Sequence, residues 1–349
     1  MARGFMGIWK AAENAKRELP PEDDRLLHRT KGDSNRVYGI AFSPDGKWVF
    51  TCGSDGLQQW DVATFELVHS QTFDFAGWGR PNPVFSIAVD HHKPLVYFGT
   101  FAQDVQIWDF GSREIFGSIP TPERWSHSVP ALAISLDGKS LAIAESGGQE
   151  NQQVALNDFS IPVWDFEASK IRYRLVGHGH SVRCLAFLPG DQYLFSDGNS
   201  VIWSLDDGRL FKHDGELDLE QNFRGIEEPW RRVALFHSAP SFEIHKYVGS
   251  SSFSSAFVEW LRKQELIEKC DYAVVADRVS NRALIIDGAS GELLASYAQF
   301  GNGMPVTTVA VAPESKVVVT GGNGHAMRGG LGNNDDQSDR NLCWWRLPV

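Results

Sequence analysis

The stretch VYGIAFSPDGKWVFTCGSDGLQQWD, from Val37 to Asp61, decides the fold. It opens with an alternating apolar run, Val37 to Phe42, and turns at Ser43-Pro44-Asp45-Gly46. A second run, Trp48 to Thr51, turns at Ser54-Asp55-Gly56; a third, Leu57 to Val62, contains Trp60-Asp61; Glu66 to His69 begins a fourth. Alternation with period two marks strands with one buried face. Pro, Asp and Gly at the breaks supply the fixed or positive φ values that tight hairpins need. Four strands joined this way form one small antiparallel sheet. The unit then returns. Further copies close on Trp108-Asp109 and Trp164-Asp165, with weaker ones on Trp203-Ser204, Ile286-Asp287 and Trp345-Arg346. Repetition at this period predicts an array of similar units that bury their faces against one another.

Composition agrees with packed sheets. Of 349 residues, 42% are hydrophobic, and the chain has twelve Trp and twenty-two Phe against four Met. Large flat side chains at regular intervals suit sheets better than a helical bundle. A formal net charge of −11 argues against a general nucleic-acid binder, which needs a basic footprint to displace counterions. Cys52, Cys184, Cys270 and Cys343 are widely separated, without C-x-x-C spacing, and read as reduced, mostly buried thiols. The N-terminal MARGFMGIWKAAENAKREL lacks the apolar core and cleavage site of a signal peptide. No apolar run approaches the roughly 18 residues that cross a bilayer. A cytoplasmic protein without a membrane span is expected.

The pattern resembles the WD40 repeat family over roughly Leu26 to Pro348. The residues that carry the resemblance are Ser43-Pro44-Asp45-Gly46, Ser135-Leu136-Asp137-Gly138, the three Trp-Asp dipeptides, and Gly177-His178 four residues before Val182. The resemblance implies an all-β, WD40-type β-propeller, whose radial blades each have four strands, a to d from the inside outwards. It also implies a structural relay from His178 through Ser196 on strand b to Trp203 on strand c.

The chain ends are expected to meet. The last copy supplies Thr307–Ala312, Lys316–Thr320 and Leu342–Leu347 and stops one strand short. The segment Leu26-Leu27-His28-Arg29-Thr30, followed by Gly32-Asp33 in the Gly-His position, would complete that blade and close the ring, removing an open edge. Residues 1–23 then form a separate amphipathic segment and 24–349 the propeller. Six anchors are visible: Trp60, Trp108, Trp164, Trp203, Ile286 and Trp345. Lys246-Tyr247-Val248, Ser250 to Ser252 and Phe257 to Trp260 mimic strands b and c of a seventh repeat. The competing reading has six blades and an inserted amphipathic helix, Ser255 to Lys269, with a Ser cap. Seven is preferred, because that number closes most comfortably in the family.

In the family the b–c and d–a loops open on one face. Here Thr72–Pro83, Pro120–Pro130 and His213–Pro229 are long d–a connections, and Ser146–Ser160 and Gly321–Asn341 long b–c connections. Loops of this length on a rigid scaffold are where recognition residues gather. Each d–a connection brings a Trp with a nearby Arg: Trp78 with Arg80, Trp125 with Arg124, Trp230 with Arg231 and Arg232. Trp and Arg are enriched at binding hot spots. For one loop, packing onto the blade below is the better reading. Three recurrences on one face point to recognition of a protein or peptide partner.

Other features are weaker. Gly329–Arg340 carries Asp335, Asp336 and Asp339 but lacks the spacing and bidentate Glu of a Ca²⁺ loop, so it reads as a solvated loop. His91-His92 sits in an a–b turn, where adjacent side chains rarely converge on one metal. The sequence has no nucleophile elbow, phosphate-cradling loop or zinc spacing. No cofactor and no metal site are therefore expected. Phe5, Ile8, Trp9, Ala12, Ala15 and Leu19 share one helical face; packing on the propeller wall is preferred to docking on a partner or a membrane surface. The sequence is thus read as a non-catalytic interaction scaffold or subunit of an assembly. Its rival is a metal-dependent hydrolase in the central funnel, which would need carboxylates and histidines converging from several blades. The inner-strand starts present Tyr38, Phe85, Ala131 and Thr308 instead.

Overall fold

The computed structural model describes residues 25–30, 36–73, 82–101, 105–120, 128–145, 159–176, 178, 182–188, 190–196, 201–210, 231–236, 272–277, 282–287, 293–298, 306–312, 317–322 and 342–347. All regular structure among them is strand. After β1 (Leu26–Thr30) comes a first sheet of β2 (Val37–Phe42), β3 (Trp48–Gly53), β4 (Gly56–Asp61) and β5 (Leu67–Gln71). A second holds β6 (Ser86–Val89), β7 (Leu95–Gly99), β8 (Val105–Asp109) and β9 (Glu114–Ile119). A third holds β10 (Ala131–Ile134), β11 (Ser140–Ala144), β12 (Ile161–Asp165) and β13 (Lys170–Leu175). The fourth has three strands, β14 (Leu185–Phe187), β15 (Tyr193–Ser196) and β16 (Val201–Ser204). The fifth is β17 (Arg231–Phe236), β18 (Tyr272–Asp277), β19 (Arg282–Asp287) and β20 (Leu293–Ala298). The last is β21 (Val306–Val311), β22 (Val317–Gly322) and β23 (Leu342–Arg346). β1 pairs antiparallel with β23 and makes this last sheet four-stranded.

Every sheet is an antiparallel meander in chain order, apart from the returning β1. The turn residues explain why. At the β2–β3 turn, Ser43 Oγ donates to Asp45 Oδ1 at 2.6 Å, Asp45 Oδ1 accepts the Lys47 amide, and Gly46 takes φ 67°. Ser135, Asp137, Lys139 and Gly138 repeat this arrangement between β10 and β11. Burial raises the Asp45 carboxyl, but the Ser43 hydroxyl and the amide and charge of Lys47 outweigh it and hold it below its ordinary value. At the turn into the outer strand, Asp61 Oδ1 accepts the amides of Ala63 and Thr64, and Asp109 Oδ1 those of Gly111 and Ser112. The Asp of the Trp-Asp pair is therefore a turn cap.

Beside four of the six anchors the outer strand bulges. The register shifts beside Trp60, Trp108, Trp164 and Ile286, where one residue of the outer strand has no opposite number. The extra residues are Val68, Phe116, Arg172 and Leu294. Bulges bend an edge strand and blunt its capacity to pair with another chain.

The described strands fall into two compact units. In one, Val37, Ile40 and Trp60 of the first sheet pack with Ala310, Val319 and Trp344 of the last. On the far side of that last sheet, Val309, Val311 and Trp345 pack with Ala283, Ile285 and Tyr297 of the fifth. In the other unit, Tyr97, Ile107 and Ile119 meet Leu132, Leu141 and Ile143, and on the next face Val163 and Leu175 meet Leu185, Phe187 and Trp203. Both faces of an inner sheet are thus buried, as a stack of blade-type sheets requires. The segments Lys246–Trp260 and Ser255–Lys269, which carry the choice between seven blades and six, lie outside the described residues.

Candidate functional site

Inside each of three sheets a buried indole meets a hydroxyl. Trp203 Nε1 donates to Ser196 Oγ at 2.9 Å, and Ser196 Oγ lies 2.9 Å from His178 Nε2. Ser196 and His178 are buried, and the His178 ring meets the Trp203 indole edge-on. Burial pushes the His178 imidazole down from its ordinary 6.5 to about 4. The indole–hydroxyl half of this relay recurs without a histidine. Trp60 Nε1 donates to Thr51 Oγ1 at 3.0 Å, and Trp345 Nε1 to Thr320 Oγ1 at 2.9 Å. In each case the hydroxyl residue stands two places beyond the residue opposite the Trp: Val49, Leu194 and Val318. The second and third sheets have Phe98 and Ile143 there, which offer no hydroxyl. Sequence reading connected the relay with Gly-His and missed the two threonines, whose signal was this two-residue offset.

At the loop ends of the second and third sheets, polar groups gather. The Asn82 amide donates to Phe73 O, which brings the ends of the segment carrying Trp78 and Arg80 together. Glu145 and Ser160, which flank the long b–c connection of the third sheet, are both buried. Ser160 Oγ donates to Glu145 Oε2 at 2.9 Å, and Arg174 Nη1 donates to Glu145 Oε2 at 2.8 Å and Ser160 Oγ at 2.7 Å. A buried carboxylate is tolerable when paired and hydrogen-bonded in this way. Both devices hold loop roots, and neither was read from the sequence.

Trp78, Arg80, Arg124, Trp125 and Trp230 lie outside the described residues, as do residues 1–24 with their amphipathic face. Arg231 is the first residue of β17, with Asp277 of β18 as its backbone partner. Among the described residues, no group of three His, Cys, Asp or Glu side chains is placed to hold a metal ion, and no helix is long and apolar enough to cross a membrane.

The "WD domain, G-beta repeat" family profile matches residues 24–61 and 169–210. These are β1 to β4, and the stretch from β13 to the end of the fourth sheet. These two stretches match as WD40 repeats. The chain is similar to the "Protein LST8 homolog" of Drosophila melanogaster, 26% identical over 182 residues, covering 50% of this chain and 54% of that protein. Human "Striatin-4" is 27% identical over 190 residues, 52% of this chain and 23% of its own length. Rat "Apoptotic protease-activating factor 1" is 26% identical over 212 residues, 58% of this chain and 15% of its own. The chain thus spans about half the length of the Drosophila relative and under a quarter of the other two.

Proposed function

We propose that this WD40 chain is a non-catalytic interaction scaffold, a cytoplasmic subunit of a multiprotein assembly. It holds a protein or peptide partner on the face that carries the long d–a and b–c connections. The observation that carries the reading is the recurrence of Trp with Arg in three d–a connections: Trp78 with Arg80, Trp125 with Arg124, Trp230 with Arg231. Aromatic and guanidinium groups cover apolar area while keeping a polar handle, which suits them to hot spots. The closed loop root at Phe73 and Asn82 supports it, since a fixed root reduces the ordering entropy lost on binding. A net charge of −11 favours a protein partner over nucleic acid. Residues 1–23 are a separate amphipathic segment, available as a second contact.

The test is affinity capture from the native source with the intact chain and with Trp78→Ala, Trp125→Ala and Trp230→Ala, read by quantitative mass spectrometry. Each substitution should weaken retention of the same partner by about 2 kcal/mol while leaving the unfolding midpoint in place. Destabilised variants that retain the partner fully would show that these tryptophans only pack.

A further inference from the structure

We propose that Asn82 is a positioning residue, whose side-chain amide ties the roots of two Trp-bearing connections to one fixed point; this rests on the functional reading above. Asn82 stands in Arg80-Pro81-Asn82-Pro83. A residue before proline is held in the extended region, so its backbone direction is set before any contact forms. Asn82 is fully buried. Its amide donates to Phe73 O, and the Phe73 ring packs on Phe98 of β7, with centroids 4.7 Å apart. This closes the connection that carries Trp78 and Arg80.

The side chain reaches the other way. Asn82 Nδ2 donates to Phe101 O at 3.2 Å, and the Phe101 amide donates to Asn82 Oδ1 at 3.1 Å. The carboxamide thus takes the place of a peptide group and forms a two-way pair like that between neighbouring antiparallel strands. Phe101 in turn pairs as an isolated antiparallel bridge with Ser128. Ser128 lies near the end of the Pro120–Pro130 connection that carries Arg124 and Trp125. One residue further on, Ser86 Oγ donates to Val129 O at 2.6 Å, and a Cβ on Gly99 would fall 2.4 Å from Val129 Cβ. The two connections are therefore joined through a single amide.

A residue needed only to fill the core would be apolar, because a buried amide is unfavourable unless its donors and acceptor are matched. Here Asn82 bonds to main-chain atoms of Phe73 and Phe101, both just outside the strands. The amide adds no rung to a sheet. What it adds is a common origin for two recognition segments.

The experiment is limited chymotrypsin digestion of the full chain, with cleavage sites mapped by mass spectrometry and the unfolding midpoint measured in parallel. Phe75, Trp78 and Trp125 are the reporting sites. Asn82→Leu keeps the volume and removes both side-chain bonds; cleavage should rise about tenfold at all three sites while cleavage elsewhere stays unchanged. Asn82→Ser shortens the side chain so that it no longer reaches Phe101, without adding a charge to the buried site. It should raise cleavage at the same sites, and it supplies a readable variant if the leucine substitution does not fold. No rise, a rise confined to Phe75 and Trp78, or a uniform rise with a lowered midpoint would overturn the proposal. The digestion needs no partner, so its failure is distinct from failure of the scaffold reading.

Discussion

Asp191 Oδ1 accepts the amide proton of Leu136 at 2.9 Å across a separation of 55 residues. Its second oxygen accepts the amide of Asp137 at 2.9 Å, and His92 Nε2 meets the carbonyl of the same Leu136 at 2.8 Å. One turn, between β10 and β11, is thus held by the corresponding turns of both neighbouring sheets. The geometry explains why Asp191 sits at φ 56°, a region that non-glycine residues enter at some cost. The strained backbone aims a carboxylate at two consecutive amides.

Removing that carboxylate should loosen the second unit of the chain. Asp191→Ala leaves the two amides without their acceptor and is expected to lower stability by about 1–2 kcal/mol. Asp191→Asn, which tolerates the positive φ and keeps one acceptor, should lose less. Urea unfolding with an unchanged denaturant slope is the measurement, and equal losses for the two variants would show that the carboxylate bonds do not matter.

The indole–hydroxyl pairs make a second expectation. Thr51→Val keeps the shape of the side chain but leaves the buried Trp60 indole N–H unpaired, a loss of about 1–3 kcal/mol. Phe98 occupies the matching place in the second sheet, so Phe98→Leu should act only through packing. A double-mutant cycle of Thr51→Val with Trp60→Phe isolates the bond, and a coupling near zero would remove it as a contributor.

How much of this was legible follows from range along the chain. Ser43 to Gly46 and Ser135 to Gly138 announced their turns because each side chain bonds within five residues of itself. The N-terminal segment was placed beside Leu342–Leu347 by counting strands, and β1 pairs there through Leu26–Trp345 and Thr30–Leu342. The Asn82–Phe101 pair and the Asp191–Leu136 contact join residues 19 and 55 apart, and no local pattern encodes such choices. The outer-strand bulges escaped notice for another reason. They fall beside Trp60, Trp108, Trp164 and Ile286, whereas the extra residues Val68, Phe116, Arg172 and Leu294 share no side-chain chemistry.

His178 predicts a pH dependence with a definite sign. Its folded-state value of about 4 lies below the ordinary 6.5 because burial disfavours the charged ring. The unfolded chain therefore binds the extra proton between those values, and stability falls as the pH drops from about 6.5 to about 4. The total is at most roughly 3 kcal/mol. His178→Gln should flatten that window while lowering stability at neutral pH. An unchanged pH profile in the variant would mean that the ring is solvated.

Deleting residues 1–30 should destabilise the last sheet. β1 covers β23, Leu26 and Leu27 each join a core cluster, and the Arg346 amide donates to Arg25 O at 2.7 Å. Arg25 also reaches the fifth sheet through Ser296 O and the Tyr297 ring. Without the strand, β23 becomes an open edge, which invites association. A thermal midpoint lower by about 5 °C is expected, together with rising light scatter. A truncated chain that melts and scatters like the intact one would show that β1 contributes nothing.

Gly208 provides the sharpest single-atom test. It ends the turn after β16 at φ 70°, where Phe65, Arg113 and Ser169 occupy the same place in other sheets at φ 61°, 63° and 50°. Three side chains tolerate that conformation, so backbone preference alone does not require glycine. Contact does. A Cβ at Gly208 would fall 2.5 Å from Tyr173 Cδ1, and the Tyr173 hydroxyl is held by Asp206 O at 2.8 Å. The ring cannot move away without breaking that bond. Gly208→Ala should therefore lose about 2–3 kcal/mol, combining left-handed strain with overpacking. Tyr173→Ala should remove the clash, so that adding Gly208→Ala to it costs only about 1 kcal/mol. If the alanine is equally harmful with and without the tyrosine, the backbone rather than the ring sets the requirement.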